Sequence, residues 1–183
     1  MVRSTRRKQK NWLAGPPDQS PAGATAEERE RQPIGRLDVK LWLRLLSCST
    51  IIQKRLRRRL ADSYNTTLPR FDVMAALERS KVGMTMGQLS KHLLVSNGNV
   101  TTVVRALETD GLVKTVAAPH DRRSSIVQLT PRGFSEFAPM ASELRGWIGE
   151  ALAGVPQESQ LDLYDLLGIV KHSIAASGPT DED

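Results

Sequence analysis

The chain has 183 residues and a net charge of +6, with 26 basic residues, 20 acidic residues and one cysteine, Cys48. This length predicts one domain with tails. The single cysteine excludes an intramolecular disulfide and agrees with a reducing, cytoplasmic location. No apolar run approaches the roughly 18 residues of a membrane span. Residues 1–132 are strongly basic and residues 133–183 are acidic, so we expect a polyanionic partner for the first part only.

The first 36 residues predict a flexible basic arm rather than a folded segment. Arginine and lysine are frequent up to Lys10, and Gly15, Pro16 and Pro17 follow without apolar periodicity. A segment of this composition does not bury enough apolar surface to fold. The arm either contacts nucleic acid or is a solvated tail, and the sequence leaves both open. Residues 177–183 predict an acidic tail.

Two helices are predicted after the arm. Apolar residues recur every three or four positions from Asp38 to about Tyr64, and arginines lie on the opposite face. A second helix begins at Leu68-Pro69, because proline fits the first turn of a helix. Its predicted buried residues are Phe71, Met74, Ala75 and Leu77, with Ala76 as a further candidate.

Two short helices separated by a turn come next. Thr85 is predicted to cap the first one, because Gln88 stands at the spacing of a capping box. Ser96 is predicted to cap the second, which ends at Asp110-Gly111. The predicted apolar faces consist of Leu89, Leu93 and Leu94 on the first helix and Val100, Val103, Val104 and Leu107 on the second.

A β-hairpin and two further helices complete the chain. Residues 112–116 and 125–129 alternate as strands, and residues 117–123 are predicted to be a polar connection between them. Thr130 is predicted to cap a long helix that has Pro131 in its first turn and that Pro139 should kink or interrupt. An apolar helix follows Pro156. The predicted fold class is mainly α with a small β-hairpin wing. A helix–turn–helix followed by such a wing is typical of DNA-binding modules.

The second short helix and the wing supply the candidate DNA contacts. A short helix with small, polar outward side chains fits a major groove, where asparagine and arginine make bidentate contacts with bases and threonine contacts thymine methyl groups. Wing arginines suit phosphates or a narrow minor groove, although Arg123 is alternatively the ion-pair partner of Asp121. The candidate residues are Ser96, Asn97, Asn99, Thr101, Thr102, Arg105, Arg122 and Arg123.

Several short motifs occur together between residues 68 and 133. They are the hairpin stretch 121–130 with its Asp-Arg-Arg start, the following Pro131-Arg132-Gly133, the stretch 68–74, the pairs Leu89-Ser90 and Val100-Thr101, and the stretch 107–113. With these motifs, residues 37–176 resemble the MarR family of winged helix–turn–helix regulators. The resemblance implies a homodimer paired through its first and last two helices, a palindromic operator in double-stranded DNA, and repression that a small ligand relieves.

The resemblance also implies a division of the chain into segments. After the basic arm at 1–36 come a first dimerisation helix at 37–68, a winged helix–turn–helix module at 69–132, C-terminal dimerisation helices at 133–176 and the acidic tail at 177–183. This plan adds an all-helical dimerisation region to the predicted fold.

The same resemblance places the ligand between the dimer helices and the DNA-binding module. We expect a flat aromatic ligand to stack on Trp42 and Trp147, with Lys40, Arg44 or the arginines between Arg55 and Arg59 receiving its carboxylate or phosphates. The chain is similar to family members that regulate aromatic-acid breakdown, which implies an aromatic acid or its CoA thioester as effector. Core packing is the alternative for both tryptophans.

Other residue types predict no further site. Cys48 lies on the apolar stripe of the first helix, where we expect a small core residue; a cysteine-based redox-responsive regulator is the alternative. The three histidines are too scattered to predict a metal site, and no cofactor is predicted. No arrangement of nucleophile, base or phosphate-binding loop predicts an enzyme or a catalytic residue. A ligand-independent architectural DNA-binding protein is the remaining alternative.

Overall fold

The computed structural model describes the backbone of residues 37–118 and 121–177 and the side chains of residues 37–117 and 125–177. The predicted arm at 1–36, His120 and the tail beyond residue 177 lie outside the described residues, as do the side chains of Asp121, Arg122 and Arg123. Contacts between residues divide the chain into two units, Met1–Ser47 and Cys48–Asp183. The first unit contributes residues 37–47 to the described chain.

Within the described residues there are six α-helices and three β-strands. In chain order they are α1 (Leu37–Tyr64), α2 (Leu68–Ser80), β1 (Met84–Thr85), α3 (Met86–Leu93), α4 (Asn97–Thr109), β2 (Val113–Ala118), β3 (Asp121–Leu129), α5 (Pro131–Leu152) and α6 (Gln157–Ser177). The predicted fold class, mainly helical with a small hairpin wing, is confirmed.

Local signals set the starts of three helices, as predicted. Thr85 forms a complete capping box with Gln88 at the start of α3. The Ser96 hydroxyl accepts a hydrogen bond from the amide of Asn99 at 3.4 Å, and the Thr130 hydroxyl accepts one from the amide of Gly133 at 3.0 Å. Each side chain satisfies an amide that has no partner within its own helix.

The strands form one antiparallel sheet in the order β1–β3–β2. The prediction of a polar connection over 117–123 is wrong over most of its length, because β2 continues to Ala118 and β3 begins at Asp121, where their backbones pair. The register shifts between Ala117 and Ala118. The sequence does not predict β1, because two residues are too few to show alternation.

One apolar core lies within residues 48–177 and joins helices to the sheet. Its most buried residues include Leu60, Leu89, Leu107 and Val127, each fully inaccessible to solvent. On α2, Val73 is buried although it was not predicted to be, and the further candidate Ala76 is buried as well. Ala75, which was predicted to be buried, is only half-buried. The reason is that α2 packs against α3, α4, α5 and β3, so its buried surface is wider than a single stripe.

Two further predictions about individual residues are wrong, and a third is wrong in part. Leu94 is 90% exposed, because it follows the end of α3 in the left-handed conformation, with φ 54° and ψ 42°, and so leaves the face that Leu89 occupies. Cys48 is exposed in this chain rather than part of its core. Pro139 does not interrupt α5, which continues through it to Leu152; the kink at Pro139 stays a prediction.

Gly133 offers a direct test of this packing. A Cβ atom at Gly133 would lie 2.0 Å from the carbonyl oxygen of Leu112, whereas one at Gly146 would meet no described atom within 4 Å. We expect Gly133→Ala to lower the melting temperature, because relieving such a backbone clash costs about 1–3 kcal/mol. Gly146→Ala is the matched control, and it should be stabilising by about 0.5–1 kcal/mol. Equal melting temperatures of the two variants in thermal denaturation would contradict the described packing.

Candidate nucleic-acid interface

Helix α4 is held so that one face is buried and the other faces solvent. Val100, Val104 and Leu107 are at most 1% exposed, and α4 packs through this face against α2 and α3. The pair α3–α4 therefore forms a helix–turn–helix whose second helix, α4, is the recognition helix.

The predicted base-contacting residues lie on or next to this helix. Asn97, Asn99, Thr102 and Arg105 are exposed, and Thr101 is half-buried. The hydroxyl of Thr101 donates to the carbonyl of Asn97 at 2.8 Å, and that of Thr102 donates to the carbonyl of Gly98 at 3.1 Å. Both hydroxyl oxygens remain available as acceptors. Ser96 caps the helix, so its hydroxyl oxygen is already engaged.

The wing candidates are placed by their backbone. Arg122 and Arg123 follow Asp121 at the start of β3, and Asp121 pairs with Ala118 at the end of β2. They therefore lie at the end of the hairpin that is remote from the core strand residues Val113 and Leu129. The predicted ion pair between Asp121 and Arg123 lies outside the described side chains.

Polar contacts that the sequence analysis did not predict hold the C-terminal end of the recognition helix. The guanidinium of Arg70 on α2 pairs with the carboxylate of Asp110, and Arg132 donates to the backbone carbonyl of Asp110 at 3.1 Å. The hydroxyl of Thr115 on β2 donates to Glu108. Arg70 and Asp110 are 40 residues apart, so no local pattern in the sequence indicates their pairing.

The predicted ligand residues are distributed over both units. Trp147 is half-buried and packs against the core. The guanidinium carbon of Arg59 lies 5.6 Å from the centroid of the Trp147 ring, and Arg59 pairs with Glu150 at 2.6 Å. Lys40, Trp42 and Arg44 belong to the first unit, where Trp42 is 59% exposed.

A groove in the second unit lies beside Trp147. Ile52, Arg55, Leu56 and Ala151 line it together with Trp147, Arg59 and Glu150. Tyr64 also contacts Trp147, with ring centroids 6.5 Å apart. Burial, and then the hydrogen bond and charge of Glu143, raise the pKa of Tyr64; its hydroxyl is therefore neutral at physiological pH.

The metal-ligating residue types do not form a cluster in the described part of the chain. Among the side chains of residues 37–117 and 125–177, no three His, Cys, Asp or Glu groups lie together in a way that would hold a metal ion. His92 is exposed, and a ring nitrogen of His172 lies 3.0 Å from the carbonyl of Gly168. No helix in the described part of the chain has the length and hydropathy to cross a membrane.

A helix–turn–helix with an exposed, polar recognition helix and an adjoining β-hairpin defines a winged helix–turn–helix DNA-binding protein. Comparison with known proteins narrows this class. Residues 64–124 match the model of the MarR family. The transcriptional activatory protein BadR of Rhodopseudomonas palustris is 33% identical over 116 residues, which are 62% of this chain and span 66% of the length of BadR.

Two solved structures share the fold. The transcriptional regulator BldR of Sulfolobus solfataricus has a TM-score of 0.68 and 25% sequence identity, covering 77% of this chain and 99% of that one. A MarR family regulator of Streptomyces coelicolor, solved in complex with DNA, has a TM-score of 0.66 and 21% identity, covering 85% of this chain and 92% of that one. The chain belongs to the MarR family of transcriptional regulators; it is a regulator with a DNA-binding fold and not an enzyme.

Substitutions at the interface should separate base contacts from phosphate contacts. We expect Arg105→Ala and Asn99→Ala each to reduce the preference for operator over random DNA. The difference in binding free energy between the two DNAs should fall by about 1–3 kcal/mol per substitution, because a bidentate base contact is lost. Arg122→Ala should weaken binding to both DNAs evenly and reduce the salt dependence, because a phosphate contact releases counterions. Fluorescence anisotropy at several salt concentrations measures both quantities. If Arg105→Ala leaves the operator preference intact, the proposed outer face of α4 is wrong.

Proposed function

We propose that this chain is a homodimeric repressor that binds a palindromic operator in double-stranded DNA and is released by a small effector. The observation that carries the proposal is the outer face of α4, where Asn97, Asn99, Thr102 and Arg105 are exposed. Amide and guanidinium groups read base edges, whereas basic residues of a wing neutralise phosphates. The proposal implies a cytoplasmic protein, because the operator lies on the chromosome.

The charge distribution supports this orientation on DNA. The recognition helix and the wing lie in the basic part of the chain, and α5 and α6 lie in the acidic part. Phosphate repulsion favours an arrangement in which the acidic helices stay away from the duplex. We therefore propose residues 69–132 as the DNA-binding module and residues 37–68 and 133–176 as dimerisation segments.

Helix α6 supports the proposed dimer. In the described chain none of its 21 residues is buried, although apolar side chains line it at Leu163, Leu167, Val170 and Ile174. Positions spaced by four, three and four residues share one helix face. A continuous apolar face of this kind requires cover, and a second copy of the same helix supplies it with the twofold symmetry that a palindrome requires.

For the effector we propose an aromatic acid or its CoA thioester, with Lys40, Trp42, Arg44 and Trp147 as contacts. The groove beside Trp147 supports an anionic aromatic ligand, since it combines apolar residues with the guanidinium groups of Arg55 and Arg59. Glu150 already pairs with Arg59, so the anion of the effector would compete with this carboxylate for Arg59.

Repression follows if the operator overlaps the promoter, because the bound dimer then excludes the polymerase. The relative BadR is named an activatory protein; activation by the present chain would instead require an operator that leaves the promoter open to the polymerase. Mapping the protected bases relative to the transcription start therefore tests the proposed direction of regulation.

Operator binding is the first experiment. We expect the full chain to shift DNA from upstream of its own gene, at near-physiological salt, at least about 1,000-fold more tightly than scrambled DNA of equal length. One member of a panel of aromatic acids and CoA thioesters should release this complex. Equal affinity for both DNAs, unchanged by every compound, would instead indicate an architectural protein, and release only by an oxidant would indicate a redox-responsive regulator.

The proposed dimer interface on the apolar face of α6 is tested separately. Leu167→Lys should convert the protein to monomers and lower operator affinity at least tenfold, because a charge on the proposed interface loses its hydration. Ala176→Lys is the control, since it adds the same charge at an exposed position off the apolar face and should leave the dimer intact. Analytical ultracentrifugation distinguishes the two states. A dimeric Leu167→Lys variant would contradict the proposed interface.

A further inference from the structure

Leu94, which directly follows α3, combines an unusual backbone conformation with an exposed apolar side chain. Its φ of 54° and ψ of 42° place it in the left-handed region, which is disfavoured for a residue with a Cβ atom. The residue is 90% exposed, so folding removes almost none of its apolar surface from water. Neither the backbone nor the side chain of Leu94 therefore gains stability from this placement.

The turn after α3 does not itself require a leucine. The amide of Leu94 donates to the carbonyl of Lys91 at 3.4 Å, and the amide of Val95 donates to the carbonyl of Ser90 at 3.2 Å. Backbone atoms alone make both hydrogen bonds, and glycine is the residue that most often ends a helix in the left-handed conformation. Glycine at position 94 would keep the turn and remove its conformational cost, so the fold does not explain the leucine.

Leu94 begins a run of six exposed residues, 94–99, that leads into the recognition helix. Because consecutive Cα atoms are about 3.8 Å apart, the Cα atom of Leu94 lies within about 11 Å of that of Asn97, the first residue of α4. Residues at the N-terminal end of a recognition helix are the ones that reach base edges. Leu94 therefore borders the proposed DNA interface.

The residues on either side of Leu94 favour DNA over a protein as its partner. Lys91 and His92 are exposed on the last turn of α3, whereas Asn97 and Asn99 are exposed at the start of α4. Basic side chains contact phosphates and amide side chains contact base edges, so Leu94 stands between a segment suited to phosphates and one suited to bases. The apolar group that a base pair presents in the major groove is the C5-methyl of thymine.

We propose that Leu94 is a specificity-determining residue that packs against the C5-methyl group of a thymine in each operator half-site, next to the bases that α4 contacts. The contact removes an exposed leucine side chain and a methyl group from water together, which favours thymine at that position. The proposal rests on the proposed function, because it takes the exposed face of α4 as the surface that reads the operator.

Substitutions at Leu94 should separate DNA affinity from stability. Leu94→Gly and Leu94→Asn both suit the left-handed backbone, so these variants should melt at the temperature of the unmodified protein or higher. They should nevertheless bind the operator about three- to tenfold more weakly, because the apolar contact is lost. Leu94→Met keeps an apolar side chain of similar volume and should retain operator affinity within about twofold. Fluorescence anisotropy and thermal denaturation measure the two quantities.

Val82→Ser is the matched control for these variants. It removes an apolar side chain that is 72% exposed from the connection between α2 and β1, outside the proposed interface. Operator affinity should therefore be unchanged in Val82→Ser.

Deoxyuridine in the operator tests the same contact from the side of the DNA. Deoxyuridine pairs as thymidine does but lacks the C5-methyl group, so single replacements should identify one thymine per half-site whose methyl group contributes about three- to tenfold to affinity. In Leu94→Gly the same replacement should have no further effect, because both changes remove one contact. Replacement of the other thymines should affect the unmodified protein and Leu94→Gly equally.

Unchanged operator affinity of Leu94→Gly would overturn the contact and indicate a protein partner for Leu94. A lower melting temperature of Leu94→Gly would show that the fold requires the leucine, which would also overturn the proposal. Additive effects of Leu94→Gly and of every deoxyuridine replacement would exclude a thymine methyl as the target. Equal affinity of the unmodified chain for operator and scrambled DNA would refute the proposed function. The contact is then decided by whether Leu94→Gly removes the preference for a scrambled duplex with thymine over the same duplex with uracil.

Discussion

The close approach of Gly133 to the carbonyl group of Leu112 is the constraint on which the DNA-binding module depends. The same carbonyl accepts hydrogen bonds from the amide of Thr130 at 3.0 Å and from its hydroxyl at 3.2 Å. The turn after α4, the end of β3 and the start of α5 therefore meet around one peptide group. A side chain at residue 133 would separate them, so the absence of a Cβ atom fixes the recognition helix, the wing and α5 relative to one another.

The sequence predicts those features whose cause lies within a few residues. The caps at Thr85, Ser96 and Thr130 and the bounds of the helices depend on local hydrogen bonds and on apolar periodicity, and both are visible in the chain. The cluster of Arg70, Asp110 and Arg132 depends on tertiary packing of distant segments, so no period or spacing reveals it. The exposure of Leu94 depends on a single left-handed backbone conformation, which propensity does not indicate for leucine.

Opposite charges meet where the basic and acidic parts of the chain come together. Arg59 of α1 contacts Glu150 of α5 and covers the ring of Trp147. Part of the positive charge of α1 is thus neutralised by Glu150 of α5, whereas the basic residues of α4 and the wing remain the proposed DNA contacts. Family membership defines the general role in transcriptional regulation. The side-chain geometry shows that an anion approaching Arg59 would have to compete with Glu150.

Thr85 belongs to the sheet and to the helix–turn–helix at the same time. Its backbone pairs with Ile126 of β3, and its side chain caps α3. Thr85 therefore connects the sheet to the helix pair, so the recognition helix and the hairpin are held at a fixed distance from each other. In the proposed DNA complex this fixed distance adds a requirement on the spacing of the two contacts. A duplex with the right bases but one additional base pair between the contacts would present them out of phase, by about a tenth of a helical turn.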